Sequence, residues 1–308
     1  MDNHHIVLWG AFGLLMIVMI TIDLGLNRKS HEITFREALT WSIIWFVLAM
    51  LFNVGVYYYL GSRQGLEFFT GYIIEKSLSV DNLFVFIMIF SYFQVERLYQ
   101  PKILKWGIIG ALVLRALFIF LGVELLNAFS WMMYVFGVIL VVTGIKMAFG
   151  GDEEINPEKN LLVRLARKFY PVVSHIGNDR FFVMKEGVRH ATPLFLTLLV
   201  VESSDVLFAI DSIPAIFAVT RDPVIVYTSN VFAIMGLRAL FFLLSGAMGM
   251  FAYLKFGISF ILAFVGVKML VADLWHIPAA FSLGVIVGVL AISILMSITL
   301  GKGRKAKG

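Results

Sequence analysis

Nine stretches of mostly apolar residues, each long enough to cross a lipid bilayer, divide this chain of 308 residues. A bilayer core is spanned by about 20 helical residues. Hydropathy and turn signals place the spans at roughly 6–26, 38–60, 70–93, 103–125, 131–149, 192–219, 228–249, 254–273 and 279–300. Lipid offers no water to backbone N–H and C=O groups, so each span must bond internally. The expected fold class is therefore an all-α polytopic membrane protein with about nine transmembrane helices. Composition agrees, at 60% hydrophobic and 15% charged residues, far from the soluble norm. The first stretch, "IVLWGAFGLLMIVMITIDLGL", has no basic region before it and no small-residue cleavage site, so it reads as a retained span rather than a signal peptide. Cysteine is absent, which excludes disulfides and thiolate metal sites.

Orientation follows from the basic residues, which stay on the cytoplasmic side. Alternate connections hold 18 Lys and Arg on one side and two on the other, with five inside spans. That partition places the N-terminus out and the C-terminus in. The net charge of +5 then reflects topology and attraction to anionic membrane lipid. No aromatic-basic motif for nucleic acid accompanies it.

The sequence also repeats itself. "LRALF" occurs at 114–118 and 237–241, and "GIKM" at 144–147 answers "GVKM" at 266–269. Upstream of each lies a span with two carboxylates six residues apart, Glu75 with Asp81 and Asp205 with Asp211. Each copy holds three spans, an odd number, so the copies must enter the membrane from opposite sides. This is the inverted 3+3 repeat of many secondary transporters, which hold substrate near the midplane between the copies. The expected organisation is two N-terminal helices over 1–69, repeat A over 70–149, and a basic cytoplasmic linker over 150–191. Repeat B follows over 192–273, then a final helix and basic tail over 274–308. Within the linker, "LLVRLARKFY" reads as a short amphipathic helix against the inner leaflet.

An ionised carboxylate at the bilayer centre costs roughly 3 kcal/mol on insertion scales, so such residues face a bundle interior and usually mark a pathway. Glu75, Asp81, Glu202, Asp205 and Asp211 are such residues. Residues six apart on a helix point about 120° from each other, so one span carries only part of a site. Two crossing helices could pool Asp81, Asn82, Asp211 and Ser212 around one cation. Pro214 removes the hydrogen bond to the Ile210 carbonyl and frees a further oxygen beside Asp211. Ser203 and Ser204 either loosen the same helix or bond back to the preceding turn. Lys76, Arg115, Lys146, Arg238 and Lys268 also lie in spans, and the bland reading is that they merely pair with the carboxylates. Lys146 and Lys268, near helix ends, can snorkel. Arg115 and Arg238 occupy equivalent repeat positions and suit buried carboxylates, either as permanent struts or as partners that let go when a cation arrives. Asn53 and Asn230 can hydrogen-bond across helices.

Carboxylate, amide, hydroxyl and carbonyl oxygens are hard ligands that suit Mn²⁺, Mg²⁺ or Ca²⁺. None of the six histidines lies mid-membrane. There is no phosphate-binding glycine loop, so energy must come from an ion gradient or from the metal's own gradient. Carboxylates take either metal or protons, which makes metal-for-proton exchange the natural expectation. No organic cofactor is expected, and no enzyme motif is present, although an aspartyl pair such as Asp81 with Asp211 could share a proton. The other competing reading is a membrane scaffold or sensor acting through the linker.

These motifs carry a family resemblance. "EKSLSVDNLFVF" at 75–86, "VESSDVLFAIDSIPAIFAVTRDP" at 201–223, "YTSNVFAIMGLRALFF" at 227–242 and "GVKML" at 266–270 resemble the TerC family of bacterial membrane proteins, and its Alx-like branch in particular. The resemblance implies a nine-span protein of the inner membrane, within a wider group of cation exporters. It further implies Mn²⁺ as the transported substrate, or metal supply to secreted enzymes. Asp81 and Asp211 would be its central acidic ligands, with Glu75, Asn82, Glu202 and Asp205 around them.

Overall fold

The computed structural model describes residues 3–26, 33–129, 131–149, 160–173, 180–185, 187–245, 253–275 and 277–301, excepting the side chains of residues 3–6, 23–26, 81, 84, 279, 298 and 300. The side chain of Asp81, the loop cations Arg28 and Lys29, parts of the linker and the basic tail beyond 301 lie outside the described residues.

A helix stands at every predicted span. In chain order these are α1 (Asn3–Leu26), α2 (Phe35–Leu60), α3 (Ser62–Tyr92), α4 (Gln100–Ala128), α5 (Met132–Phe149), α7 (Pro193–Phe217), α8 (Pro223–Met235), α9 (Leu237–Ser245), α10 (Leu254–Leu270) and α11 (Ala279–Gly301), with the short α6 (Leu161–Phe169) in the linker. Local chemistry sets the starts. Thr34 accepts from the Glu37 amide and Asp222 from the Val224 amide, supplying caps to amides that have no partner in the first turn. Pro193 and Pro223 stand in first turns, where a missing N–H is harmless.

Five helices are both long and apolar enough to cross a membrane, namely α2, α4, α5, α7 and the 280–297 stretch of α11. The pair α8 and α9, bent by 41° at Gly236, makes a sixth if taken as one span. The rest have identifiable reasons for falling short. Helix α3 carries Arg63, Glu67, Glu75, Lys76 and Asp81, α10 has 17 residues, and α1 has its side chains described over the apolar stretch Val7–Ile22 alone. The linker holds more than the expected helix. Strands β1 (Phe182–Lys185) and β2 (Val188–Ala191) form an antiparallel hairpin with Gly187 at φ +78° in its turn, a left-handed value that glycine adopts without a Cβ clash.

The helices fall into two triplets, α3–α4–α5 and α7 with α8/α9 and α10. The most extensive packing joins α5 to α10; α3 lies on α8, α4 on α7, and α3 on α7. A Cβ on Gly144 would come 2.7 Å from the Ser259 carbonyl and 2.9 Å from the Ala263 nitrogen. One on Gly266 would come 2.7 Å from the Gly137 carbonyl and 2.8 Å from the Val141 nitrogen. The two helices thus touch backbone to backbone, which small residues permit in membranes. Around this unit α1 and α2 pack on the α3/α8/α9 side and α11 on α10 and α3. Large side chains such as Leu51, Val54, Tyr58, Val113 and Leu117 point outward exposed, as a lipid-facing surface requires.

Candidate functional site

Where the triplets meet, four helices each bring one polar residue into an otherwise apolar interior. Glu75 comes from α3, Arg115 from α4, Asp205 from α7 and Asn230 from α8, and all four are buried. The Arg115 Nη1 donates to Glu75 Oε1 and also to Asn230 Oδ1 at 3.2 Å. Asn230 Nδ2 in turn donates to Glu75 Oε2 at 2.9 Å. The other arm of the guanidinium, Nη2, lies 3.7 Å from Asp205 Oδ1. Glu75 therefore has both oxygens held, and Asp205 has one, weakly. Arginine suits this role because its fork reaches two carboxylates from one planar head.

The accounting of polar atoms is incomplete inside this centre. Among the described residues, Arg115 Nε, Asp205 Oδ2 and Ser212 Oγ are buried with no hydrogen-bond partner. A buried polar atom without a partner is expensive, and the two carboxylates exceed the one guanidinium by a unit of negative charge. Ser212 lies seven residues after Asp205, on the same face of α7. Hard oxygen donors with a surplus negative charge are chemistry that suits a hard cation or a proton.

The remaining sequence-predicted residues are distributed around it. Asp211, predicted to sit beside Ser212 at one ion, turns toward α5, where Thr143 Oγ1 donates to its Oδ1 at 2.9 Å. Asn82 is buried on α3. Glu202 is half-buried on α7, its carboxylate lying against Gly110 of α4. Lys76 donates to the Ala233 carbonyl at 3.1 Å, so its cation meets the C-terminal end of α8, a favourable place for positive charge. Arg238 is buried on α9. Among the described residues no three or more His, Cys, Asp or Glu gather to hold a metal. Ser203 and Ser204 bond back to the Leu199 and Val200 carbonyls at 2.7 and 2.8 Å, the structural option of the two weighed for them. Asn230, read from the sequence as able to hydrogen-bond across helices, does so to Glu75. Thr143 gave no signal in the sequence.

A cavity of about 1120 Å³ opens at one end of the bundle, lined among others by Arg63 and Glu67 of α3, Phe217 at the end of α7, Thr220, Lys268 of α10 and Asp273. A smaller one of about 450 Å³ lies at the other end of α3, near Phe90, Gln94 and Arg97.

A polytopic helical protein with a buried ionic centre between two packed helix triplets belongs to the integral membrane class with polar chemistry inside the bilayer. The chain belongs to the TerC family, since the model described as "Integral membrane protein TerC family" matches residues 60–305. It is 51% identical over 292 residues to "Uncharacterized membrane protein STKORF319" of Myxococcus xanthus, covering 94% of this chain and 92% of the relative. It is 47% identical over 301 residues to "Putative membrane-bound redox modulator Alx" of Escherichia coli K12, covering 94% of each chain. A membrane protein of Rickettsia bellii is 39% identical over 94% of this chain and 96% of the relative. No solved structure matches this chain.

Proposed function

We propose that this protein is a secondary transporter, not an enzyme, that exports a divalent cation, Mn²⁺, across the bacterial inner membrane in exchange for protons. The observation that carries the reading is the buried Glu75–Arg115–Asp205–Asn230 centre. It has surplus negative charge, three partnerless polar atoms and only hard ligands. The nine-span topology with N-terminus out and C-terminus in, taken from the basic residues, belongs to the same proposal.

The packing supports an inverted repeat. Exchange of the triplets maps α3 on α8 onto α7 on α4, and α5 on α10 onto itself. The glycine contacts follow the same rule with the offset of the "GIKM" and "GVKM" motifs. Gly144 against Ser259 becomes Gly266 against Gly137, and Gly144 against Ala263 becomes Gly266 against Val141. Glu75 and Asp205 are then repeat mates sharing one guanidinium, at the interface where inverted-repeat transporters bind substrate.

The name of the Escherichia coli relative speaks of redox modulation. With no cysteine in the chain, such an effect here would run through metal supply rather than through the protein's own thiols. The test is Mn²⁺ uptake into sealed proteoliposomes with a pH dye inside, for the native protein, Glu75→Gln, Asp205→Asn and Asp211→Asn. Saturable flux with countermoving protons, lost in folded variants, is the expected result. Absence of flux under any gradient refutes transport and leaves a scaffold role, which exchange of the 150–191 linker would then disrupt.

A further inference from the structure

Resting on that reading, we propose that the 1120 Å³ cavity is the cation's entrance to the buried centre, with Glu67 as the first carboxylate on the route and Ile216 seated on Gly71 as the barrier between them.

Three layers stack between α3 and α7 from the cavity inward. Glu67, Gly71 and Glu75 follow at four-residue steps on α3, and Thr220, Ile216 and Ser212 descend at four-residue steps along the chain of α7 and its exit. Four residues on a helix advance about 6 Å and stay on one face. The outermost layer pairs Glu67 with Thr220, both buried and both lining the cavity. The innermost contains Glu75 and the partnerless Ser212 hydroxyl. Between them lies one residue's thickness of apolar matter. A Cβ on Gly71 would come 2.8 Å from Ile216 Cδ1 and 3.0 Å from Ser229 Oγ, so the isoleucine occupies the space that the glycine leaves, with a hydroxyl beside it.

On the far side of the centre Leu83, Phe86, Phe90, Leu194, Val200 and Val201 belong to one buried apolar cluster, with Ser79 and Asn82 of α3 buried and Glu202 of α7 half-buried on the same two helices. From the cavity the barrier is Ile216, a side chain that can move. Glu67 is suited to receive the cation. Arg63 donates to Glu67 Oε1 at 2.9 Å from a side chain that is 78% exposed, while Glu67 itself is buried, so the arginine has only to swing into solvent to free the carboxylate. The native chain has no cysteine, so a single introduced thiol reports access without background.

The experiment uses the full-length protein in sealed vesicles with a membrane-impermeant thiol reagent. Trp275→Cys, an exposed cavity-lining position, marks the face on which the cavity opens. Ser212→Cys and, one turn beyond Glu75 on α3, Ser79→Cys report the centre. Both reporters should label slowly and only from the Trp275 face, and Ile216→Ala should speed labelling about tenfold, equivalent to a barrier lowered by about 1.4 kcal/mol. Saturating Mn²⁺ should slow it. Glu67→Gln should raise the half-saturating Mn²⁺ concentration for flux about tenfold. Labelling from the opposite face, or rates indifferent to Ile216→Ala at both reporters, overturns the entrance. An unchanged half-saturation overturns the role of Glu67. Correct labelling with no Mn²⁺ flux in native protein refutes transport and leaves the access geometry standing, so the two failures are separable.

Discussion

Replacing Arg115 with methionine removes the only guanidinium that joins Glu75 to Asp205 while keeping a side chain of similar length. The two carboxylates then face each other, one still bonded to Asn230 and the other with neither oxygen held. Removing one partner of a buried ion pair typically costs about 3–5 kcal/mol, because an uncompensated charge is left behind. At 3.7 Å the Arg115–Asp205 attraction alone is about 4.5 kcal/mol with an effective dielectric constant near 20. Thermal unfolding of detergent-purified protein, followed by circular dichroism, should therefore show a clear loss of midpoint for Arg115→Met. A double-mutant cycle sharpens the test. Asp205→Asn should destabilise the native protein, because an attraction is lost. In the Arg115→Met background the same substitution should stabilise, because a stranded charge is removed. A coupling energy between these positions of about 2–4 kcal/mol is expected. A midpoint unmoved by Arg115→Met, or an Asp205→Asn effect of the same sign and size in both backgrounds, would refute the ionic account of the centre.

Gly266→Ala pushes a methyl into the Gly137 carbonyl and the Val141 nitrogen; since backbone cannot yield, overpacking of about 1–3 kcal/mol should lower the unfolding midpoint, and Gly144→Ala should behave alike. Asn230→Leu strips Glu75 Oε2 of its donor and should cost about 1–3 kcal/mol in the same assay, whereas Asn53→Leu at the periphery should cost less. Lowering pH on the side from which Mn²⁺ loads should raise its half-saturating concentration, because protons and metal compete for the same carboxylates; a pH-independent value would argue against carboxylate ligation. Helix α6 buries Val163 and Ala166 but leaves Leu161, Leu165 and Phe169 exposed beside Arg164, Arg167 and Lys168. An environment-sensitive dye on Leu165→Cys should accordingly shift to the blue in anionic vesicles, and one on Lys168→Cys should not.

The helices and the acidic character of the interior were legible along the chain, because each is local or periodic. Twenty apolar residues declare a helix in lipid wherever they lie, and a carboxylate in such a helix has to be accommodated inside the bundle. The amphipathic α6 was equally plain. The hairpin at 182–191 was not, since strands of four residues carry too little pattern to stand out. Within the site, the prediction that each acidic helix supplies only part of the centre holds for Glu75 and Asp205. The partner of Asp211 could not be read, because Thr143 is 68 residues away and no periodicity links the two helices.

What the sequence by itself determined is therefore which residues must find polar company inside the membrane, and the backbone state in which they must do so. Which company each one keeps was decided only by the tertiary packing. Arg115 meets Glu75 across 40 residues and Asn230 meets Glu75 across 155, distances over which no helical periodicity extends. Those partnerships depend on how α3 and α4 pack on α8 and on the face that each helix consequently turns inward. Burial energy is indifferent to direction, whereas a hydrogen bond is not, so the selection of partners belongs to the assembled fold.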